Sequence, residues 1–248
     1  MLDIKMRDGI CDAFIAYPED SGIYPAVLFL MDAFGLRDYL YEMARTLAAR
    51  GYYVLLPNVF YRIHRTPVLD VKFPVRPEDM PEVSKRLMPL FQSFKPEQAM
   101  SDMPVFIDFL SGQKQVIPGK IGVTGYCLGG RLAIMAAAHY PDRIAAAASF
   151  HAGNLATEMP DSPHRLLNQI KATLYIAHAD HDKSMPPEQI ERLRKALEES
   201  GVRCQAELYS GAAHGFTMAD LPSYNEQALK RHWQKLFELL ETSLPQVP

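Results

Sequence analysis

The 248-residue sequence predicts an α/β fold, with a mostly parallel, doubly wound sheet held between helical layers. Three observations predict it. Short apolar runs alternate with helix-length amphipathic segments, the order that βαβ units impose. The runs are apolar almost throughout, as in strands covered on both faces, rather than alternating with polar residues. Glycines such as Gly51 and Gly201 close helical stripes, where a C-terminal cap belongs.

The elements follow in order. "PAVLFLM" (Pro25 to Met31) is a near-continuous apolar strand. Leu40, Met43, Ala44, Leu47 and Ala48 then recur at helical spacing. "YYVLL" from Tyr52 is the next strand, and a helix is centred on Met103, Phe106, Ile107 and Leu110. "KIGVT" leads into a helix from Leu128 to about His139. The strands "IAAAASF" and "ATLYIA" follow, then a helix carrying Ile190, Leu193 and Leu197. The strand "VRCQAELY" and a helix from about Tyr224 to Leu240 close the pattern. The expected organisation is one domain over residues 1–248, with right-handed crossovers.

One stretch breaks the alternation. Pro57 to Pro96 holds seven prolines, a density expected to interrupt strands and long helices. So long a connection in a compact domain is more often functional than idle. Residues 57–96 are therefore read as an insertion able to act as a lid.

Composition narrows the function. A net charge of −3 and a pI near 6.2 argue against nucleic acid or an anionic membrane as partner. Cys11, Cys127 and Cys204 make an odd count, a poor disulfide framework. "MLDIKMRDGI" has no apolar h-region, and no window approaches a membrane span. The expected protein is soluble, reduced and cytoplasmic, a monomer or homodimer acting on a small molecule.

The chemistry is concentrated at strand ends. "GYCLGG" (Gly125 to Gly130) has the frame of a G-x-S-x-G nucleophile elbow with Cys127 in the middle. Placed between a strand and a helix, Cys127 would receive the positive end of the helix dipole, which favours a thiolate. "AHADHDKSMPPE" follows "ATLYIA", where an orienting acid belongs. Its second aspartate, Asp182, is the candidate, with Asp180 as rival. The same loop read as a metal cluster (His178, Asp180, His181, Asp182) lacks an upstream histidine, because position 176 is Ile176. "YSGAAHGF" supplies His214 after "VRCQAELY". Nucleophile, acid and histidine thus occur in the order of a triad whose members each sit at the carboxyl end of a strand. His151, in "SFHAG", also falls at a strand end and is a candidate to line the pocket.

With these residues in hand, the chain resembles the dienelactone hydrolase (carboxymethylenebutenolidase) family. The resemblance runs from "AVLFLMDAFGLRDYLYEMARTLAARGYYVLLPNVFYR" through "MSDMPVFIDFL" and "GYCLGGRLA" to "YSGAAHGFTMADLPSYNEQALKRHWQKLFELL". It implies a three-layer α/β-hydrolase fold, Cys127 as nucleophile, His214 as base and Asp182 as orienting acid. It also implies an oxyanion hole from the Leu128 and Ala33 amides, with no metal or other cofactor. Dienelactone-active members carry a glutamate near the resting thiol; here "MDAFG" offers the shorter Asp32 as a thiol-modulating residue. They also carry an arginine shortly after the histidine, where this chain has Thr217, Met218 and Ala219. Arg62, Arg65 or Arg76 is the candidate replacement cation. The expected activity is hydrolysis of a small ester, lactone or thioester through an acyl-cysteine. A non-catalytic ligand-binding scaffold and an acyltransferase stay open as alternatives.

Overall fold

The computed structural model describes residues 1–245. Its centre is an eight-stranded sheet in the order β1-β2-β4-β3-β5-β6-β7-β8. The strands are β1 (Leu2–Met6), β2 (Gly9–Ala16), β3 (Ala26–Leu30), β4 (Tyr53–Pro57), β5 (Ile121–Tyr126), β6 (Ile144–Phe150), β7 (Thr173–His181) and β8 (Cys204–Ala213). From β4 to β8 all neighbours pair in parallel. The apolar runs are the buried strands: every residue of β3, β4 and β5 is buried.

The helices are α1 (Asp38–Ala48), α2 (Met80–Ser93), α3 (Pro96–Ser111), α4 (Leu128–His139), α5 (Pro187–Ser200) and α6 (Glu226–Ser243). Two glycines on β5 show that helices cover both faces. A Cβ at Gly122 would meet Leu240 and Leu244 at the end of α6, whereas one at Gly125 would meet the backbone of Gly129 in α4. Residues three apart on a strand face opposite ways, so α4 and α6 lie on opposite sides of the sheet. Gly201 caps α5 in the left-handed conformation, at φ 68°.

The sequence pattern missed two features. The first is the hairpin β1–β2, which adds two antiparallel strands to one edge. Leu2, Ile4 and Met6 alternate with Asp3 and Lys5, the period-2 signal of an edge strand. The second corrects the expectation for Pro57 to Pro96. The segment carries the 14-residue helix α2, with Val83, Leu87 and Leu90 as its buried stripe. Pro81 lies in the first turn of α2, where the missing N–H would have had no intrahelical partner. Pro89 is tolerated inside the helix at the cost of one hydrogen bond.

The topology sets where a site can form. β3 is flanked by β4 on one side and β5 on the other, so the strand order reverses between β3 and β5. Such a switch point leaves a crevice at the carboxyl ends of the strands. Ala33 follows β3, Cys127 follows β5, His151 follows β6, Asp182 follows β7 and His214 follows β8.

Candidate active site

Cys127 occupies the turn between β5 and α4 with φ 54° and ψ −115°. A non-glycine residue in this region is strained and persists only where its surroundings hold it. The surroundings here are backbone. A Cβ at Gly125 would lie 2.0 Å from the Gly129 carbonyl oxygen, and one at Gly129 would lie 2.2 Å from that of Leu30. The elbow closes only because both positions lack side chains. The same close approach brings the first turn of α4 against the Leu30–Met31 segment that leads to Ala33.

Three side chains meet at this elbow. His214 Nε2 is 3.0 Å from Cys127 Sγ, and His214 Nδ1 is 2.7 Å from Asp182 Oδ2. β7 reaches His181 through an irregularity after Ala179, which sets Asp182 at the strand's end. Ser184 orients the acid: its hydroxyl donates to Asp182 Oδ1 at 2.6 Å, and its amide donates to the same oxygen at 2.8 Å. Asp180 lies elsewhere, exposed, accepting the Gly211 N–H at 2.9 Å.

The electrostatics follow from these contacts. Burial works against charge on Asp182, but the bonds from His214 and Ser184 outweigh it and hold its carboxyl below the usual range. Burial likewise opposes charge on His214. The sulfur on one side and Asp182 on the other overcome it and raise the imidazole well above its ordinary value. The arrangement suits proton transfer from sulfur to nitrogen, giving an imidazolium held between two anions.

The cleft over the sulfur has a volume of about 250 Å³ and is lined in part by Leu128, Arg131, Asn154, Ser184 and Phe91. Phe91 comes from α2, so the proline-rich segment forms one wall. Asn154 at φ 55° joins His151 at φ 41° and Cys127 as the positive-φ non-glycine residues of the described chain. All three lie at or beside the cleft, the pattern expected of strain held at a functional site.

Two expected residues stand differently from the sequence reading. His151 is fully buried and packs edge-on behind His214, with ring centroids 5.5 Å apart, instead of lining the cleft. Its Nε2 pairs with Thr217 Oγ1 at 2.7 Å. Burial chiefly, reinforced by His214 and His232, depresses its pKa well below the ordinary value, so it is a neutral wall for the imidazole. Asp32 is also buried, but its carboxylate faces Arg37. Arg37 Nη1 and Nη2 donate to its two oxygens at 2.7 and 2.8 Å. That bidentate pair, not the thiol, takes up the charge of Asp32.

The candidate cations are likewise committed. Arg62 pairs with Asp8 and Asp102, Arg65 with Asp3, and Arg76 with Glu78 and Asp79. The arginine that does line the cleft is Arg131. Its Nε is buried without a partner among the described residues, and its Nη2 makes a 3.4 Å ion pair with Asp161. Arg131 follows Cys127 by four residues along α4, a helical neighbour that spacing alone could have flagged. Arg37 and Ser184 stand in no motif that marks them in the sequence. Among the described residues, no group of three or more His, Cys, Asp or Glu is disposed to hold a metal ion. No described helix is long and apolar enough to cross a membrane.

Comparison with known proteins places the chain in a family. The model of the dienelactone hydrolase family matches residues 11–244. A Methylorubrum extorquens protein named "Putative carboxymethylenebutenolidase" is 26% identical over 235 residues, covering 94% of this chain and 77% of that protein. The structure resembles a dienelactone hydrolase from Anabaena variabilis at TM-score 0.68 and 18% identity, covering 98% of this chain and 97% of that one. It also resembles a dienelactone hydrolase-like promiscuous phosphotriesterase from metagenomic libraries, at TM-score 0.78, 22% identity and the same coverage. The chain belongs to the dienelactone hydrolase family.

Proposed function

We propose that this protein is a cysteine hydrolase that cleaves a small ester, lactone or thioester through an acyl-cysteine intermediate. The observation that carries the reading is the 3.0 Å contact between Cys127 Sγ and His214 Nε2, with Asp182 on the other ring nitrogen. His214 takes the thiol proton as sulfur attacks the substrate carbonyl. The tetrahedral oxyanion is stabilised by the amides of Leu128 and Ala33. Collapse expels the alcohol, which takes the proton back from His214. Water, deprotonated by His214, then attacks the acyl-cysteine, and the acid leaves with the thiol restored. Asp182 holds the imidazole in the tautomer that presents Nε2 to sulfur, and it stabilises the imidazolium.

Arg131 gives this reading its substrate preference. A guanidinium one turn from the nucleophile, with a buried unpaired N–H, would hold an acyl or alcohol part that bears a carboxylate. The test is a panel of matched esters with and without a carboxylate, assayed on wild type and Arg131→Gln. The variant should lose on the order of tenfold or more in kcat/KM on the anionic esters and little on the neutral ones. An equal loss on both would remove Arg131 from substrate recognition. A panel on which Cys127→Ala matches wild type would remove the hydrolase reading itself.

A further inference from the structure

The buried cluster of Asp32, Arg37 and Asp220 is used nowhere in the mechanism above. Arg37 spans two loops. On one side it holds both oxygens of Asp32, in the loop after β3. On the other, Nε donates to Asp220 Oδ2 at 2.6 Å and Nη2 to Oδ1 at 3.2 Å, in the loop after His214. The guanidinium also lies near the rings of Phe34 and Phe73, at 5.5 and 5.1 Å from their centroids. Arg37, Asp32 and Asp220 are respectively 7%, 2% and 9% exposed.

Stability is a poor explanation for such a cluster. Two carboxylates share one cation, and the solvation lost on burying each ion offsets much of what their attraction returns. The geometry suggests what the cluster holds. Asp32 Oδ1 accepts the Phe34 N–H at 2.9 Å, and the Asp32 carbonyl accepts the Gly35 N–H at 3.3 Å. The Asp32 carbonyl and the Ala33 N–H belong to one trans peptide plane, in which they point in opposite directions. Fixing the carbonyl toward Gly35 therefore aims the Ala33 N–H away from the turn. Asp220 extends the same hold in the other direction. Its carbonyl accepts the Val75 N–H at 2.9 Å, so the histidine loop is tied to the proline-rich segment as well as to Arg37.

We propose that Arg37 is a positioning residue: through Asp32 it fixes the Ala33 amide as an oxyanion donor, and through Asp220 it locks that donor to the loop carrying His214. The inference rests on the cysteine-hydrolase reading and adds a residue that touches neither substrate nor the reacting atoms. Its consequence is a separation between two reactions of the same thiol. Ester hydrolysis passes through an oxyanion. Alkylation of Cys127 by iodoacetamide does not, because sulfur displaces iodide at a saturated carbon.

The experiment measures both rates for wild type, Arg37→Lys and Asp32→Asn. Lysine keeps the charge but cannot form two bidentate pairs. Asp32→Asn leaves one carboxylate per guanidinium, so no buried charge is stranded if Arg37→Lys fails to fold. Acylation of wild-type Cys127 is established first by mass spectrometry; its absence overturns the hydrolase reading rather than the role of Arg37. The expected result is a fall in kcat/KM of about 10²-fold, as for loss of one oxyanion donor, with the alkylation rate unchanged. A parallel fall in both rates, or an unchanged kcat/KM in a folded variant, overturns the proposal.

Discussion

Two clusters of ionisable side chains sit at the carboxyl edge of the sheet, and they are built in opposite ways. In the first, Asp182 is buried behind His214, whose side chain remains 34% exposed toward the cleft. Its histidine meets the sulfur through Nε2 at the mouth of the cleft, where a proton can pass, while Nδ1 stays on Asp182. In the second, Asp32 and Asp220 close around Arg37, whose side chain is 5% exposed. Arginine does not deprotonate in proteins, and its two carboxylate partners raise its pKa further against the lowering effect of burial. The first cluster can change charge state, whereas the second can only hold shape. Burial and short hydrogen bonds are common to both. What marks a candidate catalytic group is a proton that has somewhere to go.

The largest expected effect breaks the first cluster at its reactive atom. Cys127→Ala should reduce ester hydrolysis on the order of 10³-fold or more, measured with an activated ester. Asp182→Asn comes next. It preserves shape but favours the wrong imidazole tautomer, and turnover should fall by roughly 10² to 10⁴-fold. Asp180→Asn keeps an oxygen to accept the exposed Gly211 N–H and should leave turnover near wild type. The reverse ranking in steady-state kinetics would move the acid by two residues.

Ser184→Ala probes the support of the acid instead of the acid itself. Loss of the 2.6 Å bond to Asp182 should lower kcat on the order of tenfold. A variant with wild-type kcat would reduce Ser184 to a bystander. The smallest effect is on stability. His214 is raised above its unfolded value, near 6.5, so the native state holds the extra proton. Its contribution is complete below that pH and is lost as pH rises through the folded pKa. The Tm advantage of wild type over His214→Asn should therefore be greatest below about pH 6.5 and shrink in alkaline buffer. An advantage that grows with pH would contradict the assigned sign.

Much of the molecule was legible because its signals are local. The apolar runs marked β3 to β6 to within a residue or two, and Gly125, Cys127 and Gly129 marked a turn that only small neighbours permit. The order of Cys127, Asp182 and His214 placed three strand ends in sequence before any distance was known. What stayed hidden depends on contacts across long separations. Arg37 and Asp220 lie 183 residues apart, and neither sits in a recognisable motif. Asp32 read as a thiol partner because it stands where the family carries a glutamate, a position that says nothing about an arginine five residues on that takes both its oxygens. The proline count misled for a physical reason: Pro81 occupies a first turn where a proline costs nothing, and a tally of prolines carries no positions.

The central claim is that Cys127 becomes acylated during turnover. The most direct measurement mixes the protein with an activated ester, quenches with acid within a single turnover and locates the acyl group by peptide mass spectrometry. One acyl group on the peptide containing Cys127, appearing with the first equivalent of alcohol and absent from His214→Asn, is the predicted result. Alcohol release without any acyl group on Cys127, or an acyl group on another residue at the rate of turnover, would contradict it.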